Sequence, residues 1–168
     1  MEIYLMQHGP ALPKDKDPEE GLAPEGEARV RASGKALKKM GVTFDAIVSS
    51  PKKRSKQTAA IVAKEVGFPL EKVVETKKVK AMTPPEETVH ALSELSQVSR
   101  MLIAGHLPSL AEIASFLLTE GSKAAVHFEM GGCCRIDVDT LPSHNGRLRW
   151  HLLPDQLNAI AGSTWPSP

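Results

Sequence analysis

The chain has 168 residues, 41% of them hydrophobic and 24% charged, with 21 basic against 20 acidic side chains. That length suits one domain able to bury roughly two thirds of its unfolded surface, and the balanced charge argues against a nucleic-acid footprint over the whole surface. No apolar run approaches the roughly 20 residues of a membrane span, and Glu2 stands where a signal peptide would carry positive charge, so the expectation is a cytoplasmic protein that binds neither membrane nor nucleic acid.

Ile3 to Gln7 form a short apolar run ending on His8-Gly9, which predicts a first strand. Pro10 to Pro24 is rich in Lys, Asp, Glu and Pro and has no apolar period, which predicts a loop over the end of that strand. From Glu25 to Met40, Ala28, Val30, Ala32, Ala36, Leu37 and Met40 recur at helical spacing, and Gly41 supplies a stop. Phe44 to Ser49 reads as a buried strand. Ser50-Pro51 then opens a helix whose Ala59, Ala60, Val62, Ala63 and Val66 face inward until Gly67 ends it. Val73-Val74 gives a brief strand, and Pro85 to Leu95 a helix capped near Thr83 or Pro84. Met101 to Gly105 is another strand, leading through His106-Leu107-Pro108 into a helix that ends near Glu120-Gly121. Cys133 to Val138 and Leu148 to Leu152 read as a hairpin turned tightly within Ser143 to Gly146, because Asn-Gly favours a two-residue reversal. Residues 1–158 form one domain in this reading, and the tail over 159–168 is expected to fray. Alternating strands and helices closed by a hairpin predict a three-layer α/β/α sandwich, its central sheet mostly parallel with an antiparallel edge hairpin.

Three elements converge in that topology: the strand end at Gln7-His8-Gly9, the Ser49-Ser50-Pro51 turn with Arg54 one turn into its helix, and Gly105-His106-Leu107. Ligands of open α/β sheets bind outside the carboxyl ends of the strands. Two histidines, a guanidinium fork and two helix N-termini make an anion site with phosphoryl groups as natural occupants. A metal centre fits less well, since no carboxylate adjoins either histidine in sequence and Arg54 would repel the ion. Cys133 and Cys134 suit small apolar strand residues better than a disulfide or metal site. Trp150 and Trp165, like His90, His127, His144 and His151, lack any such context and read as packing or surface residues.

Four segments carry a resemblance: Leu5-Met6-Gln7-His8-Gly9, Leu22-Ala23-Pro24-Glu25-Gly26, Ser49 through Ala59, and Ala104-Gly105-His106-Leu107-Pro108. Together they resemble branch one of the histidine phosphatase superfamily, with its phosphoglycerate-mutase-like fold, and within it the short SixA-like phosphohistidine phosphatases. The resemblance implies a cofactor-independent phosphatase in which His8 attacks phosphorus, Arg54 grips the phosphoryl oxygens and His106 donates to them, as a neutral or a cationic ring. It further implies phosphate contacts from Gln7, Gly9 and the Leu107 amide, with the Gly9 carbonyl fixing the His8 tautomer. The implied substrate is phosphohistidine on a protein or, alternatively, a small phosphate ester; loss of catalysis would leave a phosphate-binding module. The chain departs from the family at Gln7, where an arginine is usual, and Lys80, Lys14 and Lys16 are candidate replacements. Glu86 or Glu87 is the candidate acid for an ester leaving group, with a plain role in a helix first turn as the competing reading. The short stretch from Ala81 to Arg100 leaves little room for a capping insertion, and Lys52, Lys53, Arg54 and Lys56 could rim the crevice and attract an acidic partner.

Overall fold

Strands and helices alternate in the order β1 (Glu2–Gln7), α1 (Pro24–Lys39), β2 (Ala46–Ser49), α2 (Lys53–Val66), β3 (Val74–Glu75), α3 (Pro85–Ser93), β4 (Arg100–Gly105), α4 (Ser109–Leu118), β5 (Cys133–Asp137), β6 (Arg147–Leu152) and α5 (Pro154–Ala161). This is a computed structural model, and it describes residues 1–95, 98–121 and 123–162. The six strands form one sheet in the order β3-β2-β4-β1-β5-β6. β3, β2, β4 and β1 pair in parallel, whereas β5 runs antiparallel to both β1 and β6.

The strand sequences explain why the sheet is covered on both faces. In β1, Ile3 and Leu5 join one buried cluster while Tyr4 and Met6 join the other. In β4, Met101 and Ile103 alternate in the same way with Leu102 and Ala104. Continuous apolar strands of this kind are the mark of a doubly covered parallel sheet. The first cluster takes Val89 and Leu92 of α3 with Leu110, Ile113 and Leu117 of α4. The second takes Val30 and Leu37 of α1, Ala59 and Val62 of α2 and Leu157 of α5. The result is the expected three-layer sandwich. Cys133 and Cys134 point into opposite clusters, and burial pushes the Cys133 thiol far up and the Cys134 thiol up to about 12, so both behave as small apolar groups.

β1 and β4 are neighbours whose following helices, α1 and α4, lie on opposite faces, which opens a crevice beyond their carboxyl ends. The register pairs Gln7 with Gly105, so His8 and His106 leave the sheet side by side.

Two expectations fail. The tail does not begin at Ala159: α5 continues through Ala161, with Leu157 buried and Lys39 Nζ donating to the Ala161 carbonyl at 2.7 Å. Pro154 in its first turn, Asp155 after it and the left-handed Gly162 beyond its end are ordinary helix signals. Residues 163–168, Trp165 among them, lie outside the described part. Nor does Asn145-Gly146 make a tight hairpin turn. The β5–β6 connection is nine residues long, and it docks on α4 through Gly146 N to Leu117 O at 2.7 Å and His144 Nδ1 to Phe116 O at 2.8 Å. Helix docking fixes this segment in place of the local turn preference. α2 also starts at Lys53, with Ser50-Pro51 in the turn before it.

Candidate active site

The loop after β1 approaches α1 so closely that only glycines fit. A Cβ on Gly9 would lie 2.7 Å from the Gly26 carbonyl oxygen, and one on Gly26 would lie 2.0 Å from the Pro10 oxygen. Gly9 N also donates to Thr58 Oγ1 of α2 at 3.3 Å, while Thr58 Oγ1 donates to the Arg54 carbonyl at 2.8 Å. His8 is thereby tied to the helix that carries Arg54.

The His8 ring has one chemically consistent tautomer. Its Nδ1 lies 2.7 Å from the Gly9 carbonyl oxygen, which can only accept, so Nδ1 carries the hydrogen and Nε2 keeps its lone pair. Arg54 Nε donates to that Nε2 at 3.0 Å. The His106 ring stands edge-on to His8 with centroids 5.0 Å apart, and its Nε2 is 2.9 Å from Ser50 Oγ. Burial, aided by Arg54, pushes the His8 pKa below its ordinary 6.5, against the upward pull of the Gly9 carbonyl and Glu20. Burial, with His8, Arg54 and Lys52 adding to it, pushes His106 down to about 4. Both shifts favour the neutral ring near neutrality.

Buried polar atoms without partners concentrate here. Gln7 Oε1, Arg54 Nη1 and His106 Nδ1 have none, and Ser109 Oγ at the start of α4 has none either. Native proteins leave few such atoms. A cluster of them between two helix N-termini marks a place built for a polar ligand, and the donors Arg54 Nη1 and the two N-termini select an anion.

The structure brings together His8, Gly9, Arg54 and His106, with Gln7 ending the strand beside them. Leu107 follows His106 with its side chain 39% exposed, at the rim. Glu86 begins the first turn of α3 and shares a groove of about 730 Å³ with Pro84, Met82, Pro108 and Phe116, and it makes no hydrogen bond or ion pair with His8, Arg54 or His106. Glu87 is turned to Lys78 at 3.0 Å. Lys14, Lys16 and Lys80 are exposed. The basic rim is largely neutralised: Lys53 pairs with Asp17 at 2.9 Å and Glu19 at 3.5 Å, and Lys56 with Glu75 at 3.5 Å. Lys52 remains exposed at the N-terminus of α2.

Sequence reading missed two contributors. Ser50, legible as the residue before Pro51, orients His106. Glu20 carried no signal in a loop with several carboxylates, yet its Oε2 lies 3.6 Å from Arg54 Nη1. Among the described residues, no group of three or more His, Cys, Asp and Glu side chains is gathered to hold a metal ion, and no helix is long and apolar enough to cross a membrane.

Residues 3–79, which contain β1, α2 and Arg54, match the model of the histidine phosphatase superfamily (branch 1). This segment, a little under half of the chain, is similar to that superfamily. The likeness of fold extends over the whole chain: the protein histidine phosphatase SixA, solved with tungstate, superposes with a TM-score of 0.82 at 23% identity, covering 94% of this chain and 99% of that one. An alpha-ribazole phosphatase from Shigella flexneri has the same fold at a TM-score of 0.67 and 16% identity, covering 92% and 97%. In sequence, the mitochondrial serine/threonine-protein phosphatase Pgam5 of Drosophila yakuba is 34% identical over 102 residues, 58% of this chain and 35% of that protein. The chain thus matches about a third of the length of these curated relatives. An uncharacterized protein of Picosynechococcus sp. is 29% identical over 122 residues, 68% of this chain and 71% of its own.

Proposed function

We propose that the protein is a cofactor-independent phosphatase that removes phosphate from phosphohistidine on a protein, through a phosphorylated His8. The observation that carries this reading is the His8 geometry: Nδ1–H is fixed on the Gly9 carbonyl, and the Nε2 lone pair faces the Arg54 guanidinium. In the first step the Nε2 lone pair forms a bond to phosphorus, and the bond to the leaving group breaks with its electrons. Arg54 and His106 Nδ1 then serve the phosphoryl oxygens, with the Leu107 amide and the Gln7 carboxamide as further contacts, while the Gly9 N–H stays on Thr58 Oγ1. In the second step water attacks phosphorus, the phosphorus–nitrogen bond breaks with its electron pair returning to Nε2, and the water's proton leaves on the released phosphate.

Two features support a protein substrate. α3 is nine residues long, short for an element that would cap the crevice. The groove beside Pro108 is apolar at its rim, with Met82 83% exposed, a surface suited to polypeptide contact. An imidazole leaving group also fits a site where neither Glu86 nor Glu87 touches the two histidines.

Phosphate release should be measured from a histidine-phosphorylated protein, p-nitrophenyl phosphate and a panel of metabolite esters. The expected result is the highest kcat/KM on the phosphohistidine protein and its loss in His8→Ala. Release from esters alone would make the protein a phosphomonoesterase, and phosphate binding without turnover would make it a binding module.

A further inference from the structure

The loop between β1 and α1 is a built element. Ala11 and Leu22 form an antiparallel bridge, and Leu12 N donates to Gly21 O at 2.8 Å. Asp17 accepts from Glu19 N at 3.0 Å, Gly21 N at 2.9 Å and Lys53 Nζ at 2.9 Å, while Leu22 N donates to Gln57 Oε1 at 2.7 Å. At its turn stands Glu20, with φ of 53°, the sole non-glycine of positive φ among the described residues. That conformation is strained for a non-glycine residue, and such outliers cluster at functional sites.

The loop delivers the Glu20 carboxylate to Arg54. At 3.6 Å the contact is Coulombic, too long for a hydrogen bond, so the buried Nη1 donor stays unclaimed. Arg54 thus has His8 at its Nε and Glu20 near its Nη1. A phosphoryl group gripped by Arg54 would lie between the nucleophile and a carboxylate. With Gln7 at the strand end, Glu20 offsets the charge of Arg54, and a phosphate ester dianion enters a site of reduced positive charge.

We propose that Glu20 recognises the leaving group, accepting the distal N–H of a protonated phosphoimidazole and so selecting phosphoramidates over phosphate esters. This rests on the reading of the site as a phosphohistidine phosphatase. The exchange is then symmetrical between two imidazoles. On the enzyme ring, Nδ1–H is held by the Gly9 carbonyl while Nε2 bonds to phosphorus. On the substrate ring, the phosphorus–nitrogen bond breaks with its electron pair passing to that nitrogen. The ring, already protonated on its other nitrogen, leaves neutral with its N–H on Glu20, and no proton has to be supplied. The protonated ring also offsets one negative charge of the phosphoryl group, matching the charge of the site.

The test compares wild type with the isosteric Glu20→Gln on a histidine-phosphorylated protein, on p-nitrophenyl phosphate and in binding of inorganic phosphate. A charge-assisted bond is about twice as strong as a neutral one, so kcat/KM on phosphohistidine should fall by roughly tenfold or more. Removing the carboxylate beside Arg54 should raise kcat/KM on p-nitrophenyl phosphate and tighten phosphate binding several-fold, a gain that a misfolded variant could not give. Changes of the same sign on both substrates, or unaltered phosphate affinity, would overturn the assignment. Wild type that cleaves phosphohistidine, with Glu20→Gln equally fast on it, would remove only the role of Glu20. Wild type that cleaves p-nitrophenyl phosphate and ignores phosphohistidine would overturn the underlying reading and this one with it.

Discussion

Gln7 ends β1 with its amide oxygen buried and unpartnered, where the family resemblance implies a guanidinium. A carboxamide offers a neutral hydrogen bond worth about 0.5–1.5 kcal/mol, against ~1.5–3 kcal/mol for a charged one. Gln7→Arg should therefore tighten inhibition by inorganic phosphate about tenfold, and an unchanged inhibition constant would mean that the site does not lack a cation. The pH profile is set next door. His8 attacks only when neutral, and burial holds its pKa below 6.5, so on p-nitrophenyl phosphate the acid limb of kcat/KM should be centred below pH 6.5. A limb centred at or above 6.5 would contradict the buried, neutral ring. At this scale the sequence was informative where backbone geometry leaves little choice. His8 and His106 each follow a strand end and Arg54 sits in a helix first turn, so topology alone gathers them. Glu20 was illegible because Asp15, Asp17, Glu19 and Glu20 share one loop, and only the bonds made by Asp17 decide which carboxylate turns to Arg54.

The elements were legible where apolar periodicity is reinforced by a stop, as in α1 before Gly41 and α2 before Gly67. They were illegible where a partner overrides local preference. Asn145-Gly146 prefers a tight turn, but Gly146 lies against Leu117 and Ile136, with its N–H on the Leu117 carbonyl. α5 is short, and its buried Leu157 and Ala161 gain their meaning from packing on the α1 layer. The contact that matters most to function is α1 against the loop after β1. Gly26→Ala would drive a methyl into the Pro10 carbonyl, a backbone atom with no room to yield. It should lower stability by on the order of 2 kcal/mol and cut turnover by shifting Gly9, the acceptor for His8 Nδ1. Urea unfolding and kcat measured on the same variant test both effects, and a variant of full stability and activity would refute the close packing.

Over the whole molecule, the sheet order places the crevice at the β4–β1 junction, where α4 and α1 leave to opposite faces, and it buries His106 there at 4% exposure. That burial links the site to global stability. The folded His106 has its pKa pushed down to about 4 from 6.5, so the unfolded chain binds a proton first as pH falls, and stability drops from pH 6.5 toward about 4. At roughly 1.4 kcal/mol per unit the loss is on the order of 3 kcal/mol. Urea midpoints should show this slope in wild type and a shallower one in His106→Gln; equal slopes would contradict it. The central claim concerns His8 itself. Its most direct test is to incubate the protein with a radiolabelled histidine-phosphorylated substrate, quench in alkali and map the transferred phosphate. The account predicts acid-labile, alkali-stable label on His8 in wild type and none in His8→Ala. Turnover with no label on His8, or label that persists in His8→Ala, would contradict it.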